Sequence, residues 1–440
     1  MPREFYPLLM FIALFGFLAL GVPIAFSLAV VAIIFSYFLW GPLAIHVLIS
    51  VTWGSMNNFV IVAIPLFIFM SYILQKTQVI DDLYDTIFKW TSGMRGGLAI
   101  ASVIVGAVIG SISGVVAAGI IGLGLMALPQ MLKHRYDKNL AMGTVLGAGT
   151  LGGQLIPPST NMVLYGSVSG VSIAGLFAAG IVTGLFLAAL YITYIIMLGI
   201  IKPDSYPAAM PVEERATWGE KLKSLRGVFF PVLLLLLVLG SILNGVASPT
   251  EAAGFGAGGA LLIGLMKRRL TWEIVSTSCH QTVVISSMVG WMMLGAGAFG
   301  SVFSGLGGNA LITNIAMNMP GGPNMVFAVF AVIIFLLGLS LEPGALIFLA
   351  VPIVDPILRQ LGFDPLFIAL SFQVLLQTAY LTPPFGLSVC YLYGVVPRDI
   401  TLVDLYKSAI PFLVMQIICL LAIFFFPDVF LWLPRYLLRM

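Results

Sequence analysis

Charge is scarce in this chain. Asp, Glu, Lys and Arg make up 8% of its 440 residues, against roughly 25% in soluble domains, too few to coat a water-exposed surface of that length, so a soluble globule is excluded. Cysteine is scarce as well: Cys279, Cys390 and Cys419 are odd in number, widely spaced and set in apolar stretches, which excludes a disulfide framework or a cysteine metal site. The net charge is only +3 and the longest basic run is Lys267-Arg268-Arg269, so no nucleic-acid partner is expected. Motifs of soluble chemistry are missing too, with no HExxH, no P-loop and no metal-spaced Cys/His set. Gly147-Ala148-Gly149-Thr150-Leu151-Gly152 fits GxGxxG, but no strand precedes it and its surroundings are apolar, so the dinucleotide reading fails.

What fills the chain is apolar side chain, 60% of all residues, with a mean hydropathy of +1.10. At about 20 residues per crossing, the length accommodates about ten to twelve helical spans and no sizeable aqueous domain. The expected class is an all-α polytopic membrane protein whose solvent is the lipid bilayer. Behind Arg3, the apolar run from Pro7 to Leu39 exceeds a signal-peptide core of about 7 to 15 residues and reads as two retained helices.

Two halves share one order of segments. Residues 1–201 hold scaffold helices within 7–75, an amphipathic interfacial helix at 79–95 and two half-length apolar segments over 98–132, parted by Ser111-Ile112-Ser113-Gly114. A helix over 140–167, broken at Ile156-Pro157-Pro158, and a full helix over 171–201 complete the half. Each half-length segment is too short to span, so the pair reads as a re-entrant hairpin. After a polar loop at 202–226, residues 227–440 repeat the order: spans at 228–243 and 250–266, an amphipathic stretch from Thr271, a span at 282–299, a hairpin over 327–358 with its tip at Leu339 to Gly344, a helix over 366–396 broken at Pro383-Pro384, and a terminal helix at 408–430. One offset of 226 carries Pro157-Pro158 onto Pro383-Pro384 and Tyr165 onto Tyr391. Five crossings per half is an odd number, so the second repeat is expected to enter the membrane inverted. Placing 202–226 in the cytoplasm puts sixteen of the twenty Lys and Arg on that side, which predicts that both termini face the periplasm or exterior.

Irregular backbone at membrane depth persists only where protein or a water-filled cavity satisfies it. The four breaks, two hairpin tips and two unwound points, are therefore the expected functional sites. Their residues offer oxygen ligands to a hard cation: Ser111, Ser113, Ser159, Thr160 and Asn161 in the first half, Ser340, Glu342, Thr378 and Thr382 in the second. Glycines, among them Gly114, Gly338 and Gly386, allow the tight turns, and Pro157, Pro158, Pro383 and Pro384 free carbonyls one turn earlier. Glu251 and Glu342 are read as the only carboxylates inside apolar segments, with Glu251 also fitting a helix start in Ser248-Pro249-Thr250-Glu251. No Lys or Arg falls in a predicted core, so an anionic substrate is expected to rest on helix ends and hydroxyls around Pro158, Thr160, Asn161, Pro384 and Gly386. An intramembrane enzyme using Ser113 lacks a general base, since His46, His134 and His280 fall in loops or at interfaces.

The runs Ala63-Ile64-Pro65-Leu66-Phe67, Arg95-Gly96-Gly97-Leu98-Ala99, Gly110-Ser111-Ile112-Ser113-Gly114, Gly152-Gly153-Gln154-Leu155-Ile156-Pro157-Pro158-Ser159, Ser248-Pro249-Thr250-Glu251-Ala252-Ala253 and Leu381-Thr382-Pro383-Pro384-Phe385-Gly386, in this order, resemble the large membrane subunit of a TRAP (tripartite ATP-independent periplasmic) transporter, the DctM-like family. The resemblance covers nearly the whole chain. It implies a sodium-coupled importer of an organic anion in the bacterial inner membrane, working by an elevator motion with a periplasmic binding protein and a separate small four-helix membrane subunit. No cofactor is implied beyond sodium as the coupling ion. It also implies one sodium site at Ser111, Ser113, Gly114, Ile156, Pro157 and Ser159, and a second at Gly338, Glu342, Thr382 and Pro383, near which Ser340 and Thr378 add oxygens. A self-sufficient dicarboxylate-type elevator carrier is the competing reading.

Overall fold

The computed structural model describes residues 5–41, 44–91, 93–202, 215–384 and 386–438, without the side chains of Leu39, Ile80 and Ser113. The described residues form helices and no strand. In the first half α1 (Tyr6–Ala19), α2 (Ile24–Trp40), α3 (Ala44–Met56), α4 (Ala63–Lys76) and α5 (Val79–Thr91) precede a hairpin of α6 (Gly97–Ser113) and α7 (Val116–Lys133). A broken pair, α8 (Lys138–Gln154) and α9 (Thr160–Ser169), and the long α10 (Ile173–Ile201) follow. In the second half α11 (Trp218–Leu243), α12 (Pro249–Met266), α13 (Trp272–Gly305) and α14 (Gly308–Met317) lead to the hairpin α15 (Gly322–Gly338) and α16 (Pro343–Gln360). The broken pair α17 (Pro365–Leu381) and α18 (Leu387–Tyr393) and then α19 (Leu402–Phe425) and α20 (Pro427–Leu438) close the chain.

Matched caps start the two broken helices. Asp137 accepts from the Leu140 N–H and starts α8, while Asp364 accepts from the Leu366 and Phe367 N–H groups and starts α17. The helices divide into two groups. Around the hairpins, α6 and α7 pack on α8, α16 on α9, α15 on α17, and α19 on both α8 and α17, so the two halves interlock. Beside this group, α2 packs on α13, α4 on α12 and α13, and α5 on α11.

Several expected boundaries move. The span at 228–243 begins ten residues earlier, at Trp218, because Thr217 and Glu220 form a capping box inside what reads as loop; residues 203–214 of that loop lie outside the described residues. The amphipathic stretch from Thr271 and the span at 282–299 are one helix, α13, of 34 residues, about 50 Å long, whose polar first turns therefore reach beyond a hydrocarbon core of about 30 Å. The terminal helix divides at Phe426-Pro427 into α19 and α20. Helix α3 is an addition; its His46, Ser50, Thr52 and Ser55 interrupt the apolar signal. The second arm of each hairpin, α7 and α16, has 18 residues, about 27 Å, longer than the half-span expected. Among the described residues seven helices are long and apolar enough to cross a membrane, and α1, α2, α3, α6, α15 and α17 are shorter apolar helices.

Candidate functional site: a cavity between two hairpin tips and two helix breaks

Glycine shapes the first tip. Gly114 takes φ +58° and donates its N–H to the Gly110 carbonyl at 2.7 Å, ending α6, and Val115 then runs extended into α7. The hairpin lies directly on α8 because backbones touch: a Cβ on Gly110 would stand 2.0 Å from Gly152 Cα. Past the first break, Thr160 reaches back to the tip, donating from its N–H (3.4 Å) and Oγ1 (2.9 Å) to the Gly114 carbonyl. Ser159 Oγ spans Pro157-Pro158 to the Gly153 carbonyl at 3.1 Å.

At the second tip Glu342 caps α16, its Oε2 accepting the Ala345 N–H at 3.3 Å. The second break is tied by hydroxyls, with Thr382 Oγ1 donating to the Thr378 carbonyl at 2.8 Å and Tyr406 Oη of α19 to the Pro384 carbonyl at 2.9 Å.

These four places face one another across a cavity of about 560 Å³. Gly114 to Ala118 at the first tip, Thr160 and Asn161 at the start of α9, Glu342 and Gly344 at the second tip, and Tyr380, Leu387 and Tyr391 around the second break supply one side; Ser71, Tyr72 and Gln75 of α4 with Ile285, Met288 and Val289 of α13 supply the other. A smaller cavity of about 180 Å³ between the second tip and second break shares Glu342 and Tyr380 as walls and adds Gly338, Ser340 and Gly386.

Of the residues expected at the site, Gly114, Thr160, Asn161 and Glu342 line the larger cavity, and Gly338, Ser340, Glu342 and Gly386 the smaller. Pro157, Pro158, Ser159 and Thr378 are buried, Thr382 is half-buried, Pro383 and Pro384 are exposed, and none of the seven lines either cavity. Ser111 Oγ donates to the Ala107 carbonyl of its own helix at 2.6 Å, and Ile156 packs on Gly184 of α10. The Ser113 side chain lies outside the described residues.

Sequence reasoning missed three contributors. The α4 face of Ser71, Tyr72 and Gln75 lines the larger cavity, and Ser71 Oγ donates to the Ile112 carbonyl of the first tip at 2.8 Å; three polar residues near the end of an apolar helix were the available signal. Gln154, Asn161 and Gln373 form a buried amide network joining α8, α9 and α17. Asp355 is a further carboxylate within an apolar segment, beyond the two expected: it is buried, accepts from Tyr165 Oη at 3.1 Å and pairs with Arg359 at 2.7 Å, while Arg359 also donates to the Ser169 carbonyl. Glu251 sits in an exposed capping box with Ser248 and plays the structural part.

Two hairpins and two broken helices converging on one cavity between helical groups define a polytopic membrane transporter. Residues 11–429 match the tripartite ATP-independent periplasmic transporter family, DctM component, and the chain belongs to that family. It is similar to the ectoine/5-hydroxyectoine TRAP transporter large permease protein UehC of Ruegeria pomeroyi, with 29% identity over 96% of this chain and 97% of that protein. To the C4-dicarboxylate TRAP transporter large permease protein DctM of Vibrio cholerae the identity is 28%, over 98% of both chains. Among solved structures, the Neisseria gonorrhoeae MtrF efflux pump shares the fold, with a TM-score of 0.63 and 14% identity over 89% of this chain and 84% of that one. The chain is thus a large permease subunit and not an enzyme.

Proposed function

We propose that this subunit imports a small organic anion bearing a carboxylate, coupled to sodium, by moving its hairpins and broken helices as an elevator against α1–α5 and α11–α14. The observation that carries this reading is the meeting of both tips and both post-break segments at one cavity walled on its far side by α4 and α13. The first turns of α7 and α9 line that cavity, and helix N-termini suit a carboxylate. One sodium ion is assigned to the first tip and break, at Ser111, Ser113, Gly114, Ile156, Pro157 and Ser159. A second is assigned to the smaller cavity, at Gly338, Ser340, Glu342, Thr378, Thr382 and Pro383, with the substrate against Pro158, Thr160, Asn161, Pro384 and Gly386.

The partners are a small four-helix membrane subunit and a periplasmic binding protein, and the complex sits in the bacterial inner membrane with both termini outside. Reconstitution of the large and small subunits with the binding protein in proteoliposomes tests the reading: substrate uptake is expected only with an inward sodium gradient. Equal uptake in potassium alone rejects sodium coupling, and full uptake by this chain alone favours the self-sufficient carrier.

A further inference from the structure

Helix α11 is longer than a membrane crossing needs. Its 26 residues extend about 39 Å against a hydrocarbon core of about 30 Å, and the surplus falls on the charged first turns, Trp218 to Arg226, since the apolar run starts at Val228. Those turns are seated on α5: Thr86 Oγ1 donates to the Ser224 carbonyl at 3.0 Å and Trp90 Nε1 to the Lys221 carbonyl at 3.2 Å. The rings of Trp90 and Trp218 meet edge to face at 6.3 Å, and Lys221 Nζ stands 5.2 Å from the centre of the Trp218 ring. The end of α12 joins them, because Lys267 Nζ donates to the Gly227 carbonyl at 2.9 Å. The three helices make one corner at the membrane interface, the depth that tryptophan favours.

The outward side of this corner has two parts. Trp218, Leu222, Leu225, Phe229, Leu233 and Leu236 recur at the helical period and are all exposed, so an apolar stripe runs from the interface into the membrane. By the same period Lys221 borders the stripe on one flank and Arg226 on the other, with Lys223 beyond Arg226. The acidic groups of the corner are engaged elsewhere. Asp82 pairs with Lys267 and Arg269, Asp85 pairs with Lys89, and Asp81 lies beside Arg269. Glu220, on the face of α11 away from the stripe, accepts from the Thr217 N–H and hydroxyl. Among the described residues no carboxylate is ion-paired with Lys221, Lys223 or Arg226. An apolar stripe alone accepts any hydrocarbon; cations on both its flanks select a ligand with acyl chains at membrane depth and negative charge at the interface. We propose that this corner binds an anionic phospholipid of the adjoining leaflet. Its phosphate lies between Lys221 and Arg226 within the added field of Lys223, and its acyl chains lie along the stripe below Trp218. Because α5 hands the chain to the first hairpin, such a lipid braces the junction of the two helical groups. The proposal is independent of the substrate and of the coupling ion.

Native mass spectrometry of the purified chain, with lipid added to the detergent micelle, provides the test. Phosphatidylglycerol is the anionic probe, phosphatidylcholine with the same acyl chains the neutral one, and glycerol phosphate the head group without chains. Phosphatidylglycerol is expected to bind at a concentration about tenfold below phosphatidylcholine, and the combined Lys221→Gln, Lys223→Gln and Arg226→Gln replacement to bring the two within about twofold. Lys133→Gln with Arg135→Gln, in a basic loop elsewhere, is expected to leave the preference unchanged. Equal binding of the two lipids by the parent, a preference that the triple variant keeps, or one lost equally from the loop variant overturns the proposal. Glycerol phosphate that binds as well as phosphatidylglycerol also overturns it, because the site then takes an anion without its chains. Loss of the preference once the small membrane subunit is bound does so too, by giving the stripe to a protein. If the triple variant fails to fold, two others decide: Arg226→Gln is expected to weaken phosphatidylglycerol about threefold, and Lys221→Arg with Lys223→Arg to keep the preference.

Discussion

Gln154 accepts from Asn161 Nδ2 at 2.6 Å and donates to Gln373 Oε1 at 2.7 Å, all within the buried interior. One side chain therefore ties the last turn of α8 to α9 across the Pro157-Pro158 break and to α17 of the other half. Replacing Gln154 by Ala leaves buried amides of Asn161 and Gln373 short of partners, a cost of about 1–3 kcal/mol; a lowered melting temperature of the purified protein is the expected result, and an unchanged one rules the network out as a structural tie. Gly110→Ala is expected to do more damage, since its methyl would meet Gly152 Cα at 2.0 Å, too close for either helix to accommodate in place. Overpacking of this kind costs about 1–3 kcal/mol or more, and the yield of monodisperse protein on size exclusion reads it. At this scale residue type was a fair guide where backbone chemistry alone matters. Gly114 and the two Pro-Pro pairs sit at the breaks their chemistry implies, whereas Gln154, Gln373 and Asp355 owe their importance to partners about 190 to 220 positions away, which no local pattern reveals.

The element that links the two helical groups is α5, which runs along α11 and hands the chain to α6. Its Asp82 accepts from Lys267 Nζ and Arg269 Nη1, and Lys267 also donates to the Gly227 carbonyl, so the end of α12 and the body of α11 pin it. These groups are partly exposed, so the anchor is worth about 1 kcal/mol after screening. Asp82→Ala is expected to lower the melting point by that modest amount and to remove part of its dependence on ionic strength; a variant as salt-sensitive as the parent argues against the anchor. Hairpins and broken helices were legible as elements because Gly, Pro and the Asp137 and Asp364 caps mark their ends in sequence. Helix α13 was not, because its first turns carry Glu273, Ser276, His280 and Gln281 and read as an interfacial piece, although no breaker separates them from the apolar continuation.

For the whole molecule, the transport proposal requires that contacts between the two groups break in each cycle. Ser71 Oγ on the Ile112 carbonyl and Asn58 Nδ2 on the Ser167 carbonyl, at 2.8 and 3.5 Å, are such contacts. With Cys279, Cys390 and Cys419 replaced, cysteines introduced at Asn58 and Ser167 and joined by a short bifunctional thiol reagent are expected to abolish uptake, and cleavage of a reducible linker to restore it. Uptake that survives crosslinking would mean that these groups do not move apart. Scarcity of charge, the period of the apolar runs and the doubled Pro-Pro breaks fixed the solvent, the helical class and the internal repeat, since each is a local property of the chain set by hydration and backbone sterics. Only the tertiary structure decided that the four breaks share one cavity, that α4 and α13 wall it, and that among its described lining residues Glu342 alone is acidic or basic. Those are relations between segments far apart in sequence, set by how the glycine faces of α6 and α8 and the interlocked halves pack.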